Sequence, residues 1–538
     1  MKKTTISILA ACISAAASAQ MPDYSTIMGY MSDAYTWGNN DYLGSARAVG
    51  MANAMTAVGG DLSSTAINPA GSAVAGYSQV VLSPGVSVSM TSSQGLPTAD
   101  GNTYLDNKVS QSTAKFIFPS AGLILNFNNP GGSSVLRNFT LGFVANASGV
   151  YNEGIRARGV SPQGGSSFAG YAAYNSCGYA PGDLSDLSTI AYNTGMIRAL
   201  GSYGNAYYGV TEYPLASGAS QAQKLTQDYS SVMSGSKMDY LLNLGFNIAD
   251  IVYLGASVGM QSLSYGTSES IHEYASNDAS SFPTGFNSLG YMYSYSMRAS
   301  GIYAKFGVIA APVAGLRLGL AYQTPTTLSI SEGYSYSLSS TANGISSSDG
   351  TSERDICYSL RTPMRINLGV AYTFAGKALV SVDWEMADFA STRFIARYVE
   401  DEMWFSEVNE QIAGYRSGDC LGTQHTVRAG VEYKPIEDLA LRAGYSLATS
   451  GTRFLDYDGN TLNPLTHSVS LGVGYDSPKS FFCDLGARLG FLPTTYTQIY
   501  GDYYNDRVTP STGALYCSPE IESTKMLLNI VATIGWRF

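Results

Sequence analysis

The stretch Ser468-Val469-Ser470-Leu471-Gly472-Val473-Gly474-Tyr475 puts an apolar side chain at every second position, with serine or glycine between. A period of two marks a β-strand whose two faces meet different surroundings. The pattern continues outward on both sides. Val427, Ala429, Val431 and Tyr433 alternate with Arg428, Gly430 and Glu432, and Leu439, Leu441, Ala443, Tyr445 and Leu447 with Arg442, Gly444 and Ser446. Phe481, Cys483, Leu485, Ala487 and Leu489 alternate with Asp484, Gly486 and Arg488, and Leu528, Ile530, Ala532, Ile534, Trp536 and Phe538 end the chain in the same way. One face is apolar with aromatics at its ends; the other is small, polar or charged.

Composition says what each face meets. Of 538 residues, 45% are hydrophobic but only 13% are charged, against about 25% charged in soluble domains. One ordinary soluble domain of this length is excluded, because single cores stop growing near about 300 residues. No run of about 20 apolar residues follows the N-terminal segment, which excludes helical spans. Aromatics at 12% exclude disorder. A soluble sandwich or propeller needs a richly charged outer face, which this chain lacks. Apolar residues turned toward lipid and polar ones turned inward fit a barrel. The expected fold is all-β, an antiparallel transmembrane barrel.

Fourteen strands are predicted, near 78–90, 113–127, 136–150, 237–249, 251–265, 290–310, 316–334, 355–374, 377–389, 425–434, 439–449, 466–476, 480–492 and 524–538. Six connections between them are tight and seven are long and polar, the longest being 151–236. A barrel that starts and ends in the periplasm, with short inner turns and long outer loops, requires this count. Within 151–236, Asp183 is expected to cap a helix through Leu187, Ile190, Met196 and Ile197, and 221–233 is a second predicted helix.

Residues 1–19 read as a secretory signal, with Lys2 and Lys3, a short apolar run and Ala17-Ser18-Ala19 before the cut. Leu9-Ala10-Ala11-Cys12 offers the rival reading of a lipoprotein box. Loss of the two lysines leaves 28 of the 30 basic residues against 40 acidic ones, net −12, which argues against a nucleic-acid partner. Residues 20–77 do not alternate, are rich in glycine and alanine, and end in Asn68-Pro69-Ala70-Gly71. They are expected to plug the lumen as a hatch, leaving 78–538 as the barrel. An unplugged lumen of this size is a water channel; a plugged one is a gated passage.

Motifs for catalysis are weak. Gly255-Ala256-Ser257-Val258-Gly259 matches G-x-S-x-G, but a nucleophile elbow needs a strand-to-helix turn, and this one lies inside an alternating strand. Asp456-Tyr457-Asp458-Gly459-Asn460 begins like a calcium loop without its distal glutamate. No enzyme activity, cofactor or metal is expected. Cys177, Cys357, Cys420, Cys483 and Cys517 form no C-x-x-C pair and no assignable disulfides. His272, His425 and His467 fall in or beside outer loops, where haem capture is the alternative function to weigh. Charges on the inward face include Arg317, Arg365, Asp383, Glu385, Arg428, Glu432, Arg442, Asp484, Arg488 and Arg537. They read as ion pairs bracing wall and plug, with Arg317, Arg365 and Arg428 as candidates to meet an anionic ligand head. Pro119, with Gly122 after it, interrupts the second strand and marks either a break in the wall or a strand end.

The residues also resemble a known family, the outer-membrane long-chain fatty-acid transporters of the FadL/TodX type. Gly44-Ser45-Ala46-Arg47-Ala48-Val49-Gly50, Asp61 and Asn68-Pro69-Ala70-Gly71 are similar to that family's hatch with its NPA motif. Residues 318–325 (LGLAYQTP), 362–389 with Pro363, Leu368-Gly369-Val370-Ala371-Tyr372 and Asp383-Trp384, then 428–445 and 468–475, resemble its ordered hairpins. Phe538 is similar to the terminal aromatic read by the barrel-assembly machinery. The resemblance implies a fourteen-strand plugged barrel in the outer membrane of a Gram-negative cell, amid its lipid and lipopolysaccharide. It further implies passive uptake of a hydrophobic molecule, caught by loops, held in an apolar pocket and released sideways while the hatch gates the route. A surface receptor for haem or a protein partner, including a secretion-system shuttle, and an adhesive barrel are the competing readings.

Overall fold

The computed structural model describes residues 24–99, 101–129, 135–201, 204–215, 218–221, 224–276, 282–416, 418–455, 461–477, 480–508 and 513–538. The expected leader with Cys12 and the 456–460 turn lie outside these residues. The wall runs β1 (Gln79–Leu96), β2 (Val109–Asn128), β3 (Leu136–Val160), β4 (Leu225–Ile248), β5 (Val252–Ala275) and β6 (Phe286–Val313). Then come β7 (Leu316–Gln323 with Thr327–Ala342), β8 (Arg354–Arg361 with Arg365–Phe374), β9 (Ala378–Asp388) and β10 (Thr423–Ile436). β11 (Leu439–Thr449), β12 (Leu465–Asp476), β13 (Phe481–Phe491) and β14 (Glu520–Arg537) complete it. Every neighbour pair is antiparallel, and β14 returns to β1 from Gln79↔Arg537 to Leu96↔Glu520. The ring is closed at fourteen strands, strand for strand as the alternation predicts. β7 and β8 break side by side, around Pro325 and Pro363, because proline gives the ladder no N–H; their halves pair separately, Gln323↔Arg365 below and Thr327↔Arg361 above.

The faces divide as in lipid rather than water. Leu471 is 64% exposed while its neighbour Ser470 is fully buried. Outward rows such as Leu368, Val370 and Tyr372 are exposed, and inward rows such as Arg365 and Asn367 are buried. In β3 to β6 the strands run 24 to 28 residues. At about 3.3 Å per residue and about 40° of tilt, 24 residues reach about 60 Å, well beyond an apolar band of about 25 Å. This extension corrects the helix expected at 221–233. Leu225, Gln227 and Tyr229 are buried on alternate positions of β4 and pair with β5, so the spacing that suggested a helix belongs to a strand continued outside the membrane.

The long connection after β3 does hold helices, α4 (Phe168–Ser176) and α5 (Asp186–Asn193). The cap of α5 is Ser185, which accepts from Ser188 N, not Asp183, and Met196 and Ile197 lie past its end. Both helices pack with Tyr104, Phe282, Tyr500 and Tyr503 in one apolar cluster outside the membrane. A fully buried Arg507–Glu212 pair at 2.6 Å joins this loop to the one before β14. Cys177, Cys357, Cys420, Cys483 and Cys517 are all free thiols.

Candidate functional site

Ahead of β1 the chain folds inside the barrel as α1 (Tyr24–Gly38), α2 (Ala46–Gly50), α3 (Ser64–Ile67) and a 3-10 turn, Pro69–Val74. Its seat is a belt of inward glycines. An added Cβ at Gly486 would overlap Ala46, one at Gly430 would stand 2.7 Å from Met51 O, and one at Gly444 2.6 Å from Ala52 N. Gly319 and Gly369 meet Thr56, Gly307 meets Asn68, Gly255 meets Pro69 and Ala70, and Gly245 meets Ser72. The G-x-S-x-G run is part of this belt: Ser257 is buried and accepts from Asn243 Nδ2 at 3.0 Å. Small side chains on the polar face exist because backbone must touch backbone there.

The hatch motif holds itself together by hydrogen bonds. Ser45 Oγ donates to Asp61 at 2.8 Å, Ser63 N to Asp61 at 2.8 Å, and Ser45 N to Ser63 Oγ at 2.6 Å. Asn68 accepts from Ala70 N at 3.1 Å, capping the turn that Pro69 opens. Its Nδ2 donates to Thr56 O at 2.8 Å, Val308 O at 3.2 Å and Leu320 O at 3.4 Å. One buried amide thus ties two hatch segments to β6 and β7, while Ala70 and Gly71 pack behind it, buried. Asn68→Ala removes these bonds, each worth about 0.5–1.5 kcal/mol net. Amide exchange across 56–75 should accelerate at least tenfold while exchange in the wall stays unchanged; equal exchange in both would remove Asn68 as the anchor.

The three arginines proposed to meet a ligand head are engaged with protein. Arg365 donates to Glu385 at 2.8 Å and to Gly38 O, Arg428 donates to the same Glu385 at 2.7 Å, and Arg317 donates to Val58 O at 2.6 Å. In this conformation Arg365 and Arg317 brace the hatch, while Arg428 braces Glu385 within the wall and keeps its Nη1 buried without a hydrogen-bond partner among the described residues. The same bracing recurs nearer the periplasm. Arg47 of α2 grips Glu432 through two bonds of 2.8 and 2.9 Å, Arg442 bonds Glu432 at 2.6 Å and Asp484 at 2.5 Å, and Arg488 bonds Asp41 at 2.5 Å. The buried pairs Arg442–Glu432 and Arg442–Asp484 hold position more than they add stability.

Pro119 lies at an irregularity of the wall. Ser83 pairs with Ser120 but Gly85 with Ile117, so β2 carries one extra residue at Phe118-Pro119, a bulge rather than a strand end. β2 and β3 pair only from Asn128↔Asn138 up to Ser120↔Asn146, and Gly122, opposite Val144, lies within that paired part. Above Ser120 the described ladder between them stops, about 20 Å above the inner turn and so still at membrane depth. There β3 turns inward: Asn146, Ala147, Ser148 and Gly149 are all buried, and its ladder to β4 is irregular between Ala147 and Gly149. The freed edge is taken from inside by the hatch, with Leu43 N donating to Ala147 O at 2.9 Å and Asp41 N to Ser148 O at 2.8 Å. Higher up, Asn152 Nδ2 reaches across to Ser87 O and Thr113 O at 3.0 and 3.1 Å. Phe116 and Phe118 stand exposed on the lipid side of this breach.

The pocket expected beneath the loops is occupied by the chain's own helix. Ile27, Met31, Ala34 and Trp37 of α1 pack into a cluster with Tyr293, Tyr358, Phe394 and Phe405, the last from the loop helix α6 (Glu402–Ile412). Trp37 is fully buried, and Lys237 donates to its carbonyl at 2.9 Å. An inner cavity of about 320 Å³ is instead lined by Arg47, Asp61, Glu432, Arg442 and Arg537, a polar vestibule on the hatch's periplasmic side. α1, Lys237 and Asn152 escape sequence reasoning. The haem alternative loses its residues, since His272, His425 and His467 share the outward rows of β5, β10 and β12 with Tyr274, Val427 and Val469.

No protein-family model and no curated protein matches the chain. Solved structures do. A Pseudomonas aeruginosa FadL homologue aligns at 14% identity over 92% of this chain and 99% of its own, with a TM-score of 0.51. The P. putida toluene transporter TodX aligns at 14% identity over 92% and 98%, TM-score 0.45, and the CymD monoaromatic hydrocarbon channel at 10% over 91% and 96%, TM-score 0.43. The first likeness shows the fold alone: a plugged, fourteen-strand barrel like that of the FadL homologue.

Proposed function

We propose that this barrel takes up hydrophobic small molecules passively, with the hatch as gate and the breach between β2 and β3 as a sideways exit. The observation that carries this reading is the seal itself: the wall is left unladdered at membrane depth, and hatch residues 41–43 stand in for the missing strand partner. An apolar cargo leaving there passes from protein to lipid without meeting water, whose penalty is about 25 cal/mol per Å² of apolar surface. The side chains of α1 hold the place of the cargo. A molecule entering from the loops replaces Met31 and Trp37 among the aromatic rings, and the helix, drawn off, loosens the segment next to it at 39–43. Long-chain fatty acid is the first cargo to test, given the resemblance to FadL, and a monoaromatic hydrocarbon is the second. Proteoliposomes carrying the protein should load labelled palmitate at least tenfold faster than empty ones, with no dependence on a gradient of protons. Equal loading, or loading that stops when the gradient is collapsed, would reject passive transport.

A further inference from the structure

Outward arginines crown the apolar wall on one side of the barrel. On β8 the apolar outward row Ile366, Leu368, Val370, Tyr372 and Phe374 lies within ten residues, which at about 3.3 Å each and about 40° of tilt span about 25 Å, the full height of a lipid-facing band. Arg361 follows about 10 Å higher, at headgroup depth. Its register partner across the sheet is Arg393, on a short strand, Arg393–Ile395, that continues β9. Leu360 and Phe394 beside them are buried inward, so both arginines belong to the outward row, as does exposed Ile395, with exposed Arg397 in the loop just beyond. Arg298 faces outward on β6, and the hydroxyls of Ser329 and Ser359 fill the row between.

Like charges directly opposite one another destabilise a sheet. Among the described residues no carboxylate forms a salt bridge with Arg298, Arg361, Arg393 or Arg397, whereas exposed Arg156 and Arg416 both have acidic partners. Asp388, on the same row of β9, is turned to Ala390 N and the Thr423 hydroxyl. Arg393 is fixed at the rim by bonds of 2.7 Å to Ala390 O and Thr392 O, and the Arg397 guanidinium lies over the Tyr398 ring. In a chain of net charge −10, unpaired cations are gathered where wall meets headgroups.

We propose that this rim binds the phosphoryl headgroup of the anionic glycolipid of the outer leaflet. Arginine forks match phosphate oxygens two at a time, the serine hydroxyls supply neutral donors, and the apolar row from Ile366 to Phe374 below receives acyl chains. A soluble protein partner has no access to a row that continues straight into the lipid-facing wall.

The test uses the full-length protein in neutral detergent, with bisphosphorylated lipid A as probe and inorganic phosphate as the competing arm. Wild type binds lipid A with an affinity that falls as salt rises. The triple variant Arg361→Gln/Arg393→Gln/Arg397→Gln loses at least tenfold in affinity and most of that salt dependence. Arg156→Gln, on β3, leaves binding unchanged. Folding is checked by heat-modifiable migration, and Arg397→Gln alone, in a loop, should still lose about threefold if the triple variant does not fold. Equal lipid A affinity in wild type and variants overturns the proposal, as does a wild-type site filled equally well by inorganic phosphate.

Discussion

Glu385→Ala is expected to unseat the upper plug. The carboxylate serves two guanidinium groups, Arg365 at 2.8 Å and Arg428 at 2.7 Å, and accepts from Asn367 at 3.1 Å, with 3% of its side chain exposed. Removing one partner of a buried pair leaves a stranded charge and costs about 3–5 kcal/mol; here two cations are stranded, on β8 and β10, either side of β9. Arg365 also donates to Gly38 O at the end of α1, so its relief by turning toward water drags at the junction of helix and hatch. The expected readout is twofold. Planar-bilayer recordings should change from a closed baseline to frequent ion-conducting openings, and added protease should cut within residues 24–77 at least tenfold faster. Arg317→Ala is the contrast, because it removes one bond to Val58 O and strands no charge; its effect should stay near 1 kcal/mol. A silent baseline in Glu385→Ala would show that the glycine belt alone holds the plug.

The contrast between wall and plug also explains what was legible in the sequence. A strand crossing lipid has one solvent on each side, so the Ser468 to Tyr475 alternation carries its whole environment in its spelling, and the turn-and-loop count follows. Gly307 and Gly255 were visible only as small residues on the polar face, since their reason, contact with Asn68 and Pro69, lies more than 180 residues away in the chain. The ion pairs were legible as a class but not as partners: Arg47–Glu432 joins a hatch helix to β10. α1 was hidden for a different reason. Its buried Ile27, Met31, Ala34 and Trp37 do recur at helical spacing, but that short signal is diluted in a glycine- and alanine-rich stretch. The strand at 225–233 deceived because its inward positions mix Leu225 and Tyr229 with Gln227, blurring the period of two. Pro119 pointed to a local fault in β2, but nothing in the spelling of β3 announced that Asn146 to Gly149 leave the wall.

Pinning β2 to β3 above Ser120 is expected to stop transport while leaving capture intact. Gly154 of β3 faces β2 closely: a Cβ added there would stand 3.3 Å from Thr113 Cγ2, the position a sulfur takes in Thr113→Cys, once the flexible Gln111 amide, 2.5 Å away, turns aside. Thr113→Cys/Gly154→Cys, once oxidised, ties the two edges that Asn152 of β3 now bridges to Ser87 O and Thr113 O and that hatch residues 41–43 cover from inside. If cargo leaves sideways, the oxidised protein should load palmitate into vesicles at least tenfold more slowly than the same protein reduced, and reductant should restore the rate within one preparation. Binding of palmitate in detergent should change less than twofold, since the buried rings packed around Met31 and Trp37 come mainly from β6 to β8 and the loop helix α6, not from β2. If cargo instead runs down through the polar vestibule beside Arg47 and Glu432, oxidation leaves the rate untouched, and Arg47→Leu becomes the variant that matters. The vestibule is a poor road for an apolar molecule, because charged groups would have to give up hydration for nothing in return. The two outcomes separate lateral release from axial passage without reference to how tightly the cargo binds.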